Sequence, residues 1–263
     1  MATNMETGDP NTSDLKDRVI IITGGGQGLG RAYAHAFAAL GSKVVIADIN
    51  QDNAENVVGE VRAIGGDALA IHTDVADNDS VEAMAAAAEN AFGRIDVLIN
   101  NAAFFSTIEM KAFDEIPLEE WDRMIRINLT GVYLCARAVI PAMRKRQWGR
   151  IVNKSSATVT MGRPMYLHYV TSKAGVIGLS RSLAREVGKD GINVNTILPG
   201  ATYTEVPRAT VSPAQKEAIV GMQSIPRPAA PDDLTGVVLF LSSDASKFVT
   251  GQSITVDGGL THL

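Results

Sequence analysis

The run Val19-Ile20-Ile21-Ile22-Thr23-Gly24-Gly25-Gly26-Gln27-Gly28-Leu29-Gly30 decides how this chain is read. Four consecutive branched apolar residues predict a strand covered on both faces, as in a parallel sheet. Helical spacing follows from Gly28 to Leu40, and Gly41 closes it. The glycines between permit a tight turn and a close approach of backbone to a phosphate, whose charge would sit at the helix N-terminus. A tight strand-to-helix turn also uses glycine without any nucleotide, so the cluster needs support from elsewhere in the chain.

Outward from this turn the pattern repeats. Short apolar runs at 44–47, 68–72, 95–99, 150–153, 192–198 and 253–256 alternate with helical spacing at 51–64, 81–92, 118–146, 166–187 and 232–242. Strict alternation predicts a single α/β domain with a doubly wound, seven-stranded parallel sheet and right-handed crossovers. Residues 1–14 are polar with a Gly8-Asp9-Pro10 break and are read as a flexible tail, leaving 15–263 as the domain. The segment 199–231 interrupts the rhythm with six prolines and one short helical pattern at 213–222, as expected of a lid over a binding site.

The bulk composition narrows the function classes. The 263 residues are 46% hydrophobic and 20% charged, which is globular. A net charge of −5 gives no support to nucleic-acid or anionic-membrane binding. The lone Cys135 lies in an apolar helical stretch, which predicts a packed thiol; it has no metal-ligand pattern beside it, so no metal is expected. With no internal disulfide to form, no signal-peptide pattern and no apolar run long enough to span a bilayer, a cytoplasmic protein is expected.

Asp48 ends the second strand, 20 residues beyond Gly28. A carboxylate there can accept both hydroxyls of an adenosine ribose and would repel a 2′-phosphate, and Gln27, Ile49 and Asn50 offer no cation to welcome one. The expectation is NAD rather than NADP. Capping of the next helix is the alternative use of Asp48. Asp74 and Val75, after the third strand, are placed beside the adenine, although Asp74 could instead cap the helix from Asp77.

Tyr169 and Lys173 stand one helical turn apart on one face. An ammonium near the phenol, aided by a cationic nicotinamide, would lower the phenol from its reference value of about 10 and let it exchange a proton with an alcohol or ketone near neutral pH. Ser156 follows the fifth strand, where sheet ends meet ligands, and its hydroxyl could hydrogen-bond the substrate oxygen; its neighbour Ser155 reads as a turn or cap residue. Asn128 is a poor helix former inside a long helix, so it needs a local partner or a role. A core hydrogen bond to backbone would satisfy it equally.

Together these residues resemble the classical short-chain dehydrogenase/reductase family over nearly all of 15–260. The family's TGxxxGxG turn falls on Thr23, Gly24, Gly28 and Gly30, with Gln27 and Leu29 inside it. Its NNAG element appears as Asn100-Asn101-Ala102-Ala103, with alanine in place of the last glycine. Its helix asparagine falls on Asn128, and its YxxxK pair on Tyr169 and Lys173. The family serine lies thirteen residues before the tyrosine, which selects Ser156.

The resemblance implies a Rossmann fold and a cofactor held by the turn, Asn101, Ala102, Tyr169 and Lys173. It also implies nicotinamide contacts from Pro199, Gly200, Thr202 and Thr204, and a proton relay from Lys173 through a water held by Asn128. A homotetramer is implied as well. Lys154 departs from the family, which usually has an apolar residue before the serine pair. A narrower likeness to bacterial 1-phenylethanol dehydrogenases covers His168–Ile192.

Apolar residues of the lid (Val206, Val211, Ile219, Val220, Met222) and near the fifth strand (Met161, Met165, Leu167), with Phe104 and Phe105, would suit a cyclic, aromatic or terpenoid secondary alcohol or ketone. Several of them could instead merely seal the fold. The expected activity is hydride transfer between NAD(H) and such a substrate. The alternatives are an NADPH-dependent 3-ketoacyl carrier-protein or coenzyme A reductase, and a non-catalytic NAD-binding sensor. The basic run Arg144-Lys145-Arg146 could greet a carrier or a coenzyme A phosphate, but reads first as a solvated helix end.

Overall fold

The structure is a computed structural model that describes residues 12–207 and 212–262. Residues 1–11 of the expected tail, and Val211 of the expected lid, lie outside the described residues. The chain runs β1 (Val19–Thr23), α1 (Gly28–Ala39), β2 (Lys43–Asp48), α2 (Gln51–Ala63), β3 (Asp67–His72), α3 (Asn78–Phe92) and β4 (Val97–Asn100). It continues through α4 (Leu118–Ile125), α5 (Gly131–Arg146), β5 (Gly149–Lys154), α6 (Thr158–Met161), α7 (Leu167–Val187), β6 (Ile192–Pro199), α8 (Pro213–Met222), α9 (Asp232–Ser242) and β7 (Ser253–Val256).

The strands form one seven-stranded sheet in the order β3-β2-β1-β4-β5-β6-β7, parallel throughout, with Ile21 level with Val45 on one side and Leu98 on the other. Period-two alternation in β1 explains the two cores. Val19 and Ile21 pack toward α3, α5 and α7 with Met84, Val139 and Met143. Ile20 and Ile22 pack toward α1, α2 and α9 with Phe37, Val57 and Val238. Both faces are therefore dry, which is why β1 reads as a continuous apolar run. The chain order reverses between β1 and β4, and a crevice opens there at the C-terminal strand ends.

Three features differ from the sequence reading. The expected helix over 118–146 is broken by a π-turn at Arg126–Thr130, which carries Asn128. Such a turn inserts one residue into the helical ladder without changing composition, so periodicity does not announce it. The fourth strand runs Val97–Asn100 rather than 95–99, because Asp96 turns its carboxylate onto the backbone N–H of Val19 (2.9 Å) and onto Arg94. A short helix at Thr158–Met161 was not expected, and Gly162 closes it in the left-handed region.

The lid segment contains α8, started by a capping box between Ser212 and Gln215. A bridge from Thr202 to Ala229 joins its two ends, and backbone bonds from the N–H of Gly200 to the Val256 carbonyl and from the N–H of Ile225 to the Gly258 carbonyl, both 2.9 Å, tie it to β7 and the turn beyond. Cys135 is buried, and burial pushes its thiol up to about 12, as expected of a packed thiol. Arg144 and Lys145 pair with Asp190 and Glu89 at the exposed end of α5. Among the described residues no helix is long and apolar enough to cross a membrane.

Candidate active site

The glycine turn is built by contact as much as by dihedral preference. Gly24 and Gly28 adopt φ of +61° and +57°, and a Cβ at Gly30 would stand 2.1 Å from the carbonyl oxygen of Gly24. Thr23 Oγ1 accepts the backbone N–H groups of Asn101 and Ala102, each at 3.1 Å. Asn101 Nδ2 donates back to the carbonyls of Thr23 (3.0 Å) and Gly24 (2.8 Å). The end of β4 thus braces the turn after β1.

Asp48 is buried at the end of β2. Its Oδ2 accepts the N–H of Gly26 and its Oδ1 that of Asn50, both at 2.9 Å. The cap of α2 is Asn50, which accepts from the N–H of Asn53. Likewise Asp77, not Asp74, caps α3. Gly24, Gln27, Gly28, Leu29, Asp48, Asp74, Val75, Asn101, Ala102 and Thr204 all face one cavity at the sheet's C-terminal edge. A crevice in which side chains are replaced by glycine at the strand end, with a carboxylate 22 residues on from Gly26, fits an adenine dinucleotide. Gly30 is buried behind the turn, where it lets α1 approach β1.

A second, mainly apolar cavity adjoins the first and shares Leu29, Ala103, Phe105 and Lys154 with it. Ser156, Tyr169, Pro199, Gly200 and Thr202 face this cavity. The two serines part company here. Ser155 donates its hydroxyl to the carbonyl of Lys173 (2.8 Å), tying β5 to α7. Ser156 Oγ accepts from the N–H and the hydroxyl of Thr158, at 3.2 and 2.9 Å. Phe105 stacks against Tyr169 with ring centroids 4.6 Å apart.

Lys173 is buried beneath Tyr169, its ammonium 5.9 Å from the ring centroid and donating to the carbonyl of Lys154 at 2.9 Å. Burial without a carboxylate partner pushes this lysine down to about 8 from an ordinary value near 10.5. It still carries its proton at neutral pH. Because the folded value lies below the unfolded one, the unfolded chain holds more protons across that interval. Wild-type stability should therefore rise relative to Lys173→Met as pH climbs from about 8 to 10.5, by up to about 3 kcal/mol. Urea unfolding of both cofactor-free proteins at the two ends of the window reads this difference; a constant gap would contradict it.

Asn128 is fully buried on its π-turn. Its Oδ1 accepts the N–H of Phe104 at 2.7 Å, and its Nδ2 reaches the Phe104 carbonyl (3.2 Å) and Ser172 Oγ (3.3 Å). The core bond to backbone is thus present, and it places the asparagine beside the residue preceding Lys173. Among the apolar residues expected at the substrate, Met161, Ile219 and Phe105 line the second cavity, and Val206 and Phe104 the first. Met165, Leu167 and Met222 are instead exposed and line neither.

Sequence reasoning missed Glu205. Its Oε1 accepts the N–H of Gly28 at 3.0 Å, at the N-terminus of α1 where a pyrophosphate is expected. That backbone N–H and Arg31 hold the Glu205 carboxyl below its usual range, against the desolvation that raises it. Neutralising this competitor should favour an anionic ligand. Glu205→Gln is expected to tighten binding of the reduced nicotinamide cofactor about fivefold, read by calorimetric titration; unchanged or weaker binding would contradict it.

The comparisons agree with this architecture. Residues 24–261 match the family model described as enoyl-(acyl carrier protein) reductase. An uncharacterized oxidoreductase of Mycobacterium tuberculosis is 44% identical over 245 residues, covering 92% of this chain and 96% of that one. A 3-oxoacyl-[acyl-carrier-protein] reductase of Synechocystis is 37% identical over 249 residues, covering 94% and 98%. The crystal structure of a short-chain type dehydrogenase/reductase from Mycobacterium marinum superposes with a TM-score of 0.87 at 34% identity, covering 96% and 98%. The chain belongs to the short-chain dehydrogenase/reductase family and is an oxidoreductase of that type.

Proposed function

We propose that this protein is an NAD(H)-dependent dehydrogenase or reductase of a secondary alcohol or ketone with an apolar body. The observation that carries the reading is the meeting of Ser156 and Tyr169 in one apolar cavity, with Lys173 buried beneath them and the glycine turn next door. A bound nicotinamide would give or take the hydride. Tyr169 would exchange the hydroxyl proton with the substrate oxygen, and Ser156 would orient that oxygen. The Lys173 ammonium favours the phenolate electrostatically and would also hold the nicotinamide ribose.

Beyond Lys173, protons would pass to solvent through a water held by Asn128, whose amide reaches the hydroxyl of Ser172, the residue before Lys173, at 3.3 Å. Pro199, Gly200, Thr202 and Thr204 would fix the carboxamide, and Asp48 the adenosine ribose. Asp48 is the reason for choosing NAD, since its buried carboxylate would repel a 2′-phosphate.

A second reading, NADPH-linked reduction of a 3-ketoacyl thioester, is favoured by the Synechocystis relative. Turnover of a panel of secondary alcohols and ketones with NAD(H) and with NADP(H), followed by the absorbance of the reduced cofactor, separates the two. Preference for NADPH would overturn the cofactor assignment, and turnover of acetoacetyl thioesters alone would overturn the substrate class.

A further inference from the structure

We propose that the substrate carries a carboxylate, and that Arg163 binds it at the outer end of the apolar cavity. This deepens the reading above and rests on it for the identity of the reacting cavity. Arg163 lines the cavity that holds Ser156 and Tyr169. It is half-buried, and its guanidinium lies over the Tyr166 ring, 5.1 Å from the centroid. Among the described residues it forms no ion pair, and no side chain lining this cavity is acidic. In a protein of net charge −5, a cationic cavity without an acidic counterpart stands apart from its surroundings.

The position of Arg163 is built rather than loose. Gly162 closes α6 with φ of +58°, Pro164 follows, and Met165 adopts φ of +66°, a conformation costly for a side chain of its kind. The Met165 carbonyl accepts the N–H of Lys111 at 3.1 Å, and the N–H of Arg163 donates to the carbonyl of Thr158 at 3.3 Å. Tyr166 in turn packs edge-on against Tyr169, with centroids 6.4 Å apart. The guanidinium therefore sits one aromatic ring beyond the proposed proton donor.

A guanidinium fork on an aromatic face matches a carboxylate in geometry and charge. The cavity wall between it and Tyr169 is aromatic, from Phe105, Tyr166 and Tyr169 itself. The substrate class is thus a ring-bearing oxo or hydroxy acid whose carboxylate lies across the ring from the reacting carbon. Lys154, the other cation of this cavity, already donates to Asn101 Oδ1 at 2.6 Å on the cofactor side, which leaves the outer position to Arg163.

The test titrates 4-acetylbenzoate and its methyl ester into the NADH-loaded protein by calorimetry, using wild type, Arg163→Met and Arg163→Lys. Wild type should bind the acid about tenfold more tightly than Arg163→Met does, with Arg163→Lys recovering part of the loss. The ester should bind all three alike. Equal binding of the acid by wild type and Arg163→Met, or no wild-type preference for acid over ester, overturns the proposal. Turnover of each compound is followed in parallel. Acid binding that depends on Arg163 without turnover keeps the anchor and contradicts the ketone-reductase reading, whereas ester turnover with no preference for the acid does the reverse.

Discussion

Tyr169→Phe is expected to lower turnover about a thousandfold, the range of a lost general acid or base, while leaving NADH affinity within about twofold. The phenol faces the apolar cavity, and its ring is fixed by Phe105 on one side and Tyr166 on another. Phenylalanine preserves both packings and removes only the hydroxyl. A fall in kcat at unchanged cofactor binding is the pattern of a group used in the reaction rather than in holding the ligand. Retention of substantial turnover would remove Tyr169 from the mechanism. The same variant separates an enzyme from a cofactor sensor, because a sensor would lose nothing.

Gly30→Ala is expected to damage the fold itself. The new methyl would stand 2.1 Å from the Gly24 carbonyl oxygen and 2.8 Å from Gly25 Cα, both backbone atoms that no rotamer change can move. The turn would have to open, and with it the Asn101 bonds to Thr23 and Gly24. A loss of about 3 kcal/mol, or roughly 10 °C in Tm, is expected from overpacking of this kind, together with loss of NADH binding. Gly59 supplies the control, because a Cβ there meets nothing within 4 Å. Gly59→Ala, in a helix interior, should stabilise slightly. Equal Tm values for Gly30→Ala and wild type would contradict the account of the turn.

The strands and the turn were legible because both leave a local imprint: β1 is apolar at every position since both its faces are covered, and the turn needs glycine where backbone meets backbone. The choice of Ser156 over Ser155 rests on the family resemblance alone; in the structure the Ser155 hydroxyl is spent on the Lys173 carbonyl. Capping of α2, the alternative use of Asp48, falls instead to Asn50, which accepts the N–H of Asn53, while Asp48 accepts that of Gly26; composition alone does not separate the two.

Other features leave no local imprint. The π-turn at Arg126–Thr130 differs from α-helix by one residue of register. Glu205 reaches Gly28 across 177 positions of sequence. The role proposed for Arg163 depends on the lack of acidic side chains among the described residues lining its cavity, which no window of sequence can display.

In the proposed reaction, hydride passes between NADH and a carbon held against Tyr169. Incubating the protein with a panel of ring-bearing ketones and NADH deuterated at the transferring face of C4 tests it most directly. The expected product is an alcohol carrying one deuterium at its carbinol carbon, formed by Tyr169→Phe about a thousandfold more slowly than by wild type. Cofactor bound at saturation with no deuterium transferred to any ketone, or the same yield from both proteins, would contradict it.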